Sequence, residues 1–252
     1  MRRPLIAIVA AGAAAFALVA GAGSAAAALP KTIQVVTFTP NAPYEFRRGG
    51  KLTGFDIQLV ERIARTIGIT RVQWRPQTTF SKVIPLVAAD TYPMAASSIT
   101  VTAGREQRID FGVPYYTTQI GIVTRANSPI AGYGDLAGQT VGAVAGTTGQ
   151  TTANNLPNSR VRVYPTFPAL YRALLNAKIG AALNDYPQSQ WYVRANKRKF
   201  AMAGTIPGSG SAIALAFAPN QDALRVAFNR GLAKLRTNGT LGKLVNTWMP
   251  NP

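Results

Sequence analysis

Apolar and polar positions change period repeatedly along this chain, and the changes lay out an alternation of strands and helices. Thr32 to Thr37 alternates and is rich in β-branched residues, which predicts a short strand, and Pro40 and Pro43 then impose a loop. From Asp56, a side chain suited to an N-cap, Leu59, Val60, Ile63, Ala64 and Ile67 form one helical stripe that stops at Gly68. A strand is expected over 71–74, a short helix over 81–89 and a strand over 94–99. The run 119–124 reads as a further strand, and the order then repeats. Strand 140–145 runs into Gly146-Thr147-Thr148-Gly149 and a helix near Gln150. Strand 160–163 precedes a helix with Thr166 near its cap and Pro168 in its first turn, and strand 181–184 ends at Asp185. A β return over 212–217 and helices over 222–235 and 241–248 close the chain.

Such alternation implies α/β lobes with parallel pairing, in which ligands are expected at the carboxyl ends of strands. Ser98, Thr147 and Asp185 all lie at or just after such ends. Two crossings, near 116–120 and 211–215, predict a discontinuous first lobe (29–116 and 215–252) and an inserted second lobe (117–214). A two-crossing hinge of this kind permits closure.

The N-terminus changes the picture of where this chain works. Arg2 and Arg3, an apolar run from Leu5 to about Ala20 and small residues to Ala28 read as a secretory signal peptide over 1–28, cut near Ala26 to Ala28. An uncleaved anchor is the alternative, disfavoured by the short core and by Gly21 and Gly23. Processing would leave a periplasmic protein whose formal charge falls from +18 to +16 with the loss of two arginines. With no cysteine, neither a disulfide nor a lipid-modified thiol can form.

Composition narrows the chemistry further. Without histidine or cysteine there is no Ser-His-Asp or Cys-His machinery and no ordinary zinc site, and no cofactor or metal is expected. The 27 Lys and Arg are scattered, and their densest run (Arg194, Lys197, Arg198, Lys199) reads as a solvated face, so no nucleic-acid partner is expected. Of nine carboxylates, only Asp185 stands where a ligand should be.

The informative stretch is 97–111. Arg105 offers a planar fork that matches a carboxylate, and Ser98 and Thr100 supply hydroxyls beside it. Asp185 would meet an ammonium, giving a receptor for a zwitterion. Each residue has a local alternative: Arg105 as a partner of Glu106, Ser98 and Thr100 as backbone-satisfying hydroxyls, Thr147 and Thr148 as a helix cap, Asp185 as a turn residue before Pro187, Phe80 as ordinary core.

The mature region resembles the periplasmic solute-binding proteins of polar amino acid ABC importers. The motifs that carry the likeness are Pro43-Tyr44-Glu45-Phe46, Gly54-Phe55-Asp56, Ser98-Ile99-Thr100-Val101-Thr102 with Arg105, Asp110-Phe111, Pro114-Tyr115-Tyr116, Val141-Gly142 and Gly146-Thr147-Thr148. The resemblance implies a type II periplasmic-binding-protein-like fold, a monomer that captures an amino acid between its lobes, and delivery to a membrane permease. It assigns the ligand carboxylate to Arg105, Ser98 and Thr100, further donors to Thr147 and Thr148, the amine to Asp185 and an aromatic wall to Phe80. Asn41 stands where many relatives place a stacking aromatic, and Phe38 about where binders of charged side chains carry an acid or base, which points to a neutral ligand side chain. The rival readings are a cyclohexadienyl dehydratase-like enzyme on the same scaffold and a ligand-sensing protein that serves a membrane receptor.

Overall fold

The computed structural model describes residues 29–249, so the signal-peptide reading of 1–28 lies outside the described residues. Two five-stranded sheets form the frame. The first runs, in spatial order, 71–77, 32–38, 94–95, 216–217 and 110–111; the second runs 160–164, 140–144, 181–185, 120–125 and 200–205. In each, parallel pairs on one side give way to antiparallel pairs on the other. Pro76 is tolerated because Arg71–Gln77 is an edge strand, where a missing ladder donor costs little.

Two extended segments link the sheets. Tyr116–Thr118 and Ser211–Ile213 pair antiparallel between them, and Ile213 also bridges Thr100.

The predicted helical stripe forms Phe55–Thr66, which packs with the helices Asp222–Thr237 and Thr240–Trp248 over one face of the first sheet, around Leu59, Ile63, Phe228, Leu232 and Leu244. The expected cap at Asp56 is not there. Gly54 is the N-cap, at φ 131°, and a Cβ on it would lie 2.1 Å from the Tyr44 carbonyl oxygen. Asp56 is instead wholly buried and points its carboxylate into the protein. A second core reaches across the gap between the sheets, joining Val36, Phe38 and Phe80 to Val144, Phe167 and Leu170.

Other departures have local causes. The strand expected over 94–99 ends at Ala95, and beyond it Ser98 takes a left-handed conformation, φ 44°, that turns the chain out of any extended run. Three elements carried little sequence signal: the hairpin Phe46–Arg48/Lys51–Thr53 around Gly49-Gly50, the helix Tyr186–Ala195 and the strand Phe200–Thr205. The hairpin and that helix meet in an aromatic cluster. Trp191 lies 5.6 Å from the Phe46 ring and 6.4 Å from the Trp248 ring, with the Arg48 guanidinium over both Phe46 and Trp248.

Candidate functional site

The carboxyl ends of strands from both sheets face each other across a cleft with about 300 Å3 of empty volume, part of it continuous with solvent. All nine residues singled out from the sequence line it: Phe38, Asn41, Phe80, Ser98, Thr100, Arg105, Thr147, Thr148 and Asp185. Gly149, Phe167, Asn184 and Gln188 line it too and were not foreseen.

Arg105 sits on the four-residue helix Ala103–Glu106, capped by the Thr102 hydroxyl. It does not pair with Glu106. Its Nη1 donates to the Thr100 carbonyl at 2.7 Å and its Nη2 to the Gly146 carbonyl at 3.1 Å, while the guanidinium lies 5.3 Å from the Phe80 ring centroid. Phe80 is thus both core and a wall of the cleft. Carbonyl oxygens orient the fork without neutralising it, since the one ion pair among the described residues is Arg225–Asp222. Burial accordingly draws the guanidinium down to about 10, partly offset by Asp185.

Asp185 ends the strand Ala181–Asp185 and faces this cation across the cleft. It is 7% exposed, and its Oδ1 has no hydrogen-bond partner. Burial raises it to about 7, although Arg105 and the neighbouring Gln188 amide pull the other way. A buried carboxylate with an unfilled oxygen is costly until a cation or donor arrives. The cleft therefore sets a guanidinium against a carboxyl group that burial holds close to the balance between its acid and ionised forms near neutral pH, each with hydrogen-bonding capacity left over.

The hydroxyls divide into free and committed. Thr147 donates to the Val144 carbonyl at 2.7 Å and caps the helix Thr148–Asn154 through Gln150 N–H, so its side chain acts as the cap alternative proposed. Thr148 Oγ1 meets Thr100 Oγ1 at 3.4 Å across the cleft. This helix seats closely on the strand Ala181–Asp185 because residue 149 is glycine: a Cβ there would lie 2.7 Å from the Leu183 carbonyl oxygen.

Asn41 and Ser98, on one side, receive a second cross-cleft contact from Gln188 on the other. Asn41 Nδ2 donates to Glu45 Oε2 at 2.8 Å and to Ser98 Oγ at 2.9 Å, and Gln188 Nε2 reaches Asn41 Oδ1 and Ser98 Oγ, each at 3.3 Å. Gln188 Oε1 is buried without a partner. The residue lies three after Asp185 at the start of a helix, a spacing that sets the two side chains together and could have been read from the sequence. Phe38 and Phe167, 5.7 Å apart between ring centroids, make the apolar floor. The left-handed Ser98 costs roughly 1–2 kcal/mol and needs a compensating contact. One is the Asp56 carboxylate, whose Oδ2 accepts the Ser98 N–H at 2.7 Å.

Two α/β lobes that enclose a charged, desolvated cleft between them define a solute-binding receptor of the type II periplasmic-binding-protein class. The chain belongs to the bacterial extracellular solute-binding proteins, family 3, whose model matches residues 33–251. Among its relatives, the lysine/arginine/ornithine-binding periplasmic protein of Escherichia coli is 30% identical over 90% of this chain and 91% of its own. A probable histidine-binding protein of Campylobacter jejuni is 29% identical over 86% of this chain and 84% of its own. The solved structure of an ancestral arginine-binding protein bound to arginine superposes with a TM-score of 0.82 at 26% identity, covering 88% of this chain and 99% of that one.

Proposed function

We propose that this protein is an exported receptor that captures a free amino acid with an uncharged side chain in the interlobe cleft and delivers it, as a monomer, to the permease of an ABC importer. The lobes are taken to be 29–116 with 215–252, and 117–214, and residues 1–28 to be a signal peptide removed on export to the periplasm. The observation that supports the reading is the Arg105–Asp185 arrangement: a guanidinium and a carboxyl group lining one buried cleft, neither held in an ion pair, groups suited to the two ends of a zwitterion.

In this reading Arg105, Ser98 and Thr100 receive the carboxylate and Thr148 adds a hydroxyl. Asp185 receives the ammonium, whose positive charge would return the carboxylate to its ionised form. Binding of the ligand by both lobes favours the closed state, and closure strengthens each charged hydrogen bond by excluding water. Arg105 and Asp185 are the charged residues lining the cleft, and both are engaged by the backbone ends of the ligand. What remains for the side chain is Phe38, Phe80, Phe167, Asn41 and Gln188, which supports a neutral one even though several relatives are named for cationic amino acids. Calorimetry with each of the twenty L-amino acids tests this. Saturable binding of an uncharged amino acid that is lost in Arg105→Ala supports it; binding of arginine and lysine alone would move the specificity assignment to the cationic class.

A second reading is favoured by one observation: an acid raised to about 7 with a free oxygen is also equipped to donate a proton. A dehydratase-like elimination from a prephenate-type acid would use Asp185 so. Incubation with prephenate separates the two readings, because turnover abolished by Asp185→Asn belongs to an enzyme and its absence to a receptor. Delivery to a sensor in place of an importer is distinguished by which membrane protein the liganded form binds.

A further inference from the structure

Behind the Ser98 turn, away from the cleft, lie two carboxyl groups that the sequence gives no reason to link. Glu45 and Asp56 are both completely buried. Asp56 Oδ2 accepts from Ser98 N–H and Oδ1 from the Tyr115 hydroxyl, each at 2.7 Å. Glu45 Oε2 accepts from Asn41 Nδ2, but its Oε1 has no donor within reach. A dry carboxylate oxygen facing nothing is untenable, whereas a carboxylic acid O–H on that oxygen, directed at Asp56, completes the network. Asp56 is the carboxylate whose charge acts on Glu45, which makes it the acceptor for that O–H.

We propose that Glu45 and Asp56 are positioning residues for the carboxylate end of the cleft: one proton held between them leaves a single buried negative charge, and that charge fixes the left-handed Ser98 turn and, through Asn41, its hydroxyl. The inference rests on the reading of this cleft as an amino acid site, and it adds residues that touch no ligand.

The surroundings favour one charge and oppose two. The titratable groups facing the pair are Tyr44 from the same loop and Tyr115 from the segment entering the hinge, with Asp185 and Tyr116 acting on Tyr44. All are acids, and no lysine or arginine is among the groups acting on the pair. Burial and the neighbouring Asp56 raise Glu45 well above the usual carboxylate range, so it is the member that keeps the proton. Asp56, with donors from Ser98 and Tyr115, carries the charge. Loss of the shared proton at alkaline pH would place two negative charges in one dry pocket and release the turn.

The test follows the Ser98 amide by NMR hydrogen exchange in the ligand-free protein from pH 6 to 10, comparing wild type, Glu45→Gln and Asp56→Asn. Glutamine reproduces the protonated acid, accepting from Asn41 and donating to Asp56. The expected result is a Ser98 protection factor that falls at least 10-fold toward pH 10 in wild type, stays flat in Glu45→Gln and is already lost at pH 7 in Asp56→Asn. Equal alkaline loss in wild type and Glu45→Gln overturns the proposal, as does undiminished protection in Asp56→Asn. Should Asp56→Asn not fold, the wild-type and Glu45→Gln profiles decide alone. Calorimetry with the twenty L-amino acids then separates this inference from the function it rests on. Loss of binding in Arg105→Ala with none in Asp56→Asn rejects the positioning role, while the expected exchange pattern with no amino acid bound rejects the site's function and leaves the positioning intact.

Discussion

Asp185 makes the binding of an amino acid pH-dependent in a calculable way. In the ligand-free cleft burial holds its carboxyl at about 7, whereas an ammonium needs it ionised. Below pH 7 each unit costs about tenfold in affinity, because the fraction of protein with ionised Asp185 falls tenfold. From pH 8 to pH 5.5 the expected loss is about 30-fold, roughly 2 kcal/mol. Binding at pH 6 should also release close to one proton, which calorimetry in buffers of different ionisation enthalpy counts directly. The stability of the ligand-free protein runs the opposite way. A folded-state value above the unfolded one means the folded form binds the proton more tightly, so Asp185's contribution is greatest below about pH 4 and is lost as pH rises through about 7. Asp185→Asn should therefore flatten the affinity profile at a low level and, at pH 8, raise the melting temperature by several degrees, at about 2–4 °C per kcal/mol for a chain of this size. Affinity constant between pH 5.5 and 8, with no proton released, would refute the reasoning.

Three further outcomes follow from the geometry. Arg105→Ala should weaken ligand binding by about 100-fold or more, since it strands a buried charge, and Arg105→Lys should recover little because a point charge cannot hold the Thr100 and Gly146 carbonyls and a carboxylate together; calorimetry reads both. Gly149→Ala should destabilise the fold by about 1–3 kcal/mol in urea titration, through the 2.7 Å contact with the Leu183 carbonyl. Trp191→Ala removes aromatic contacts between the helix Tyr186–Ala195 and the Phe46 and Trp248 rings, worth about 0.5–1.5 kcal/mol per pair. It should lower affinity several-fold without touching the ligand and enlarge the radius of gyration of the liganded form in X-ray scattering.

How much of this was legible in the sequence depended on whether the cause was local. The stripe Leu59, Val60, Ile63 and Ala64 announces its own helix, and Thr166 and Pro168 mark the start of another, because spacing and caps act within a turn or two. Ser98, Thr147 and Asp185 were legible because they sit at or just after strand ends, where this architecture gathers ligands, Arg105 and Thr100 because a guanidinium fork beside hydroxyls suits a carboxylate, and Phe38, Asn41, Phe80 and Thr148 through motif likeness. Asp56 was misread for the opposite reason. Beside a helix start an aspartate has the form of a cap, and nothing local discloses that its true partners, Ser98 N–H and the Tyr115 hydroxyl, lie 42 and 59 residues away. Glu45 was passed over likewise. Phe167 enters the cleft only when the two sheets face each other, whereas Gln188 was within reach of a local reading through its spacing from Asp185; the hairpin at Phe46 is two three-residue strands, too short for periodicity to register.

The most direct test of the central claim is a crystal structure of the protein with the tightest-binding amino acid of the twenty. The account predicts the ligand carboxylate on the Arg105 guanidinium beside Ser98 and Thr100, and its ammonium on Asp185. An amino acid bound elsewhere, or held in this cleft with its charged ends turned away from those two residues, would contradict it.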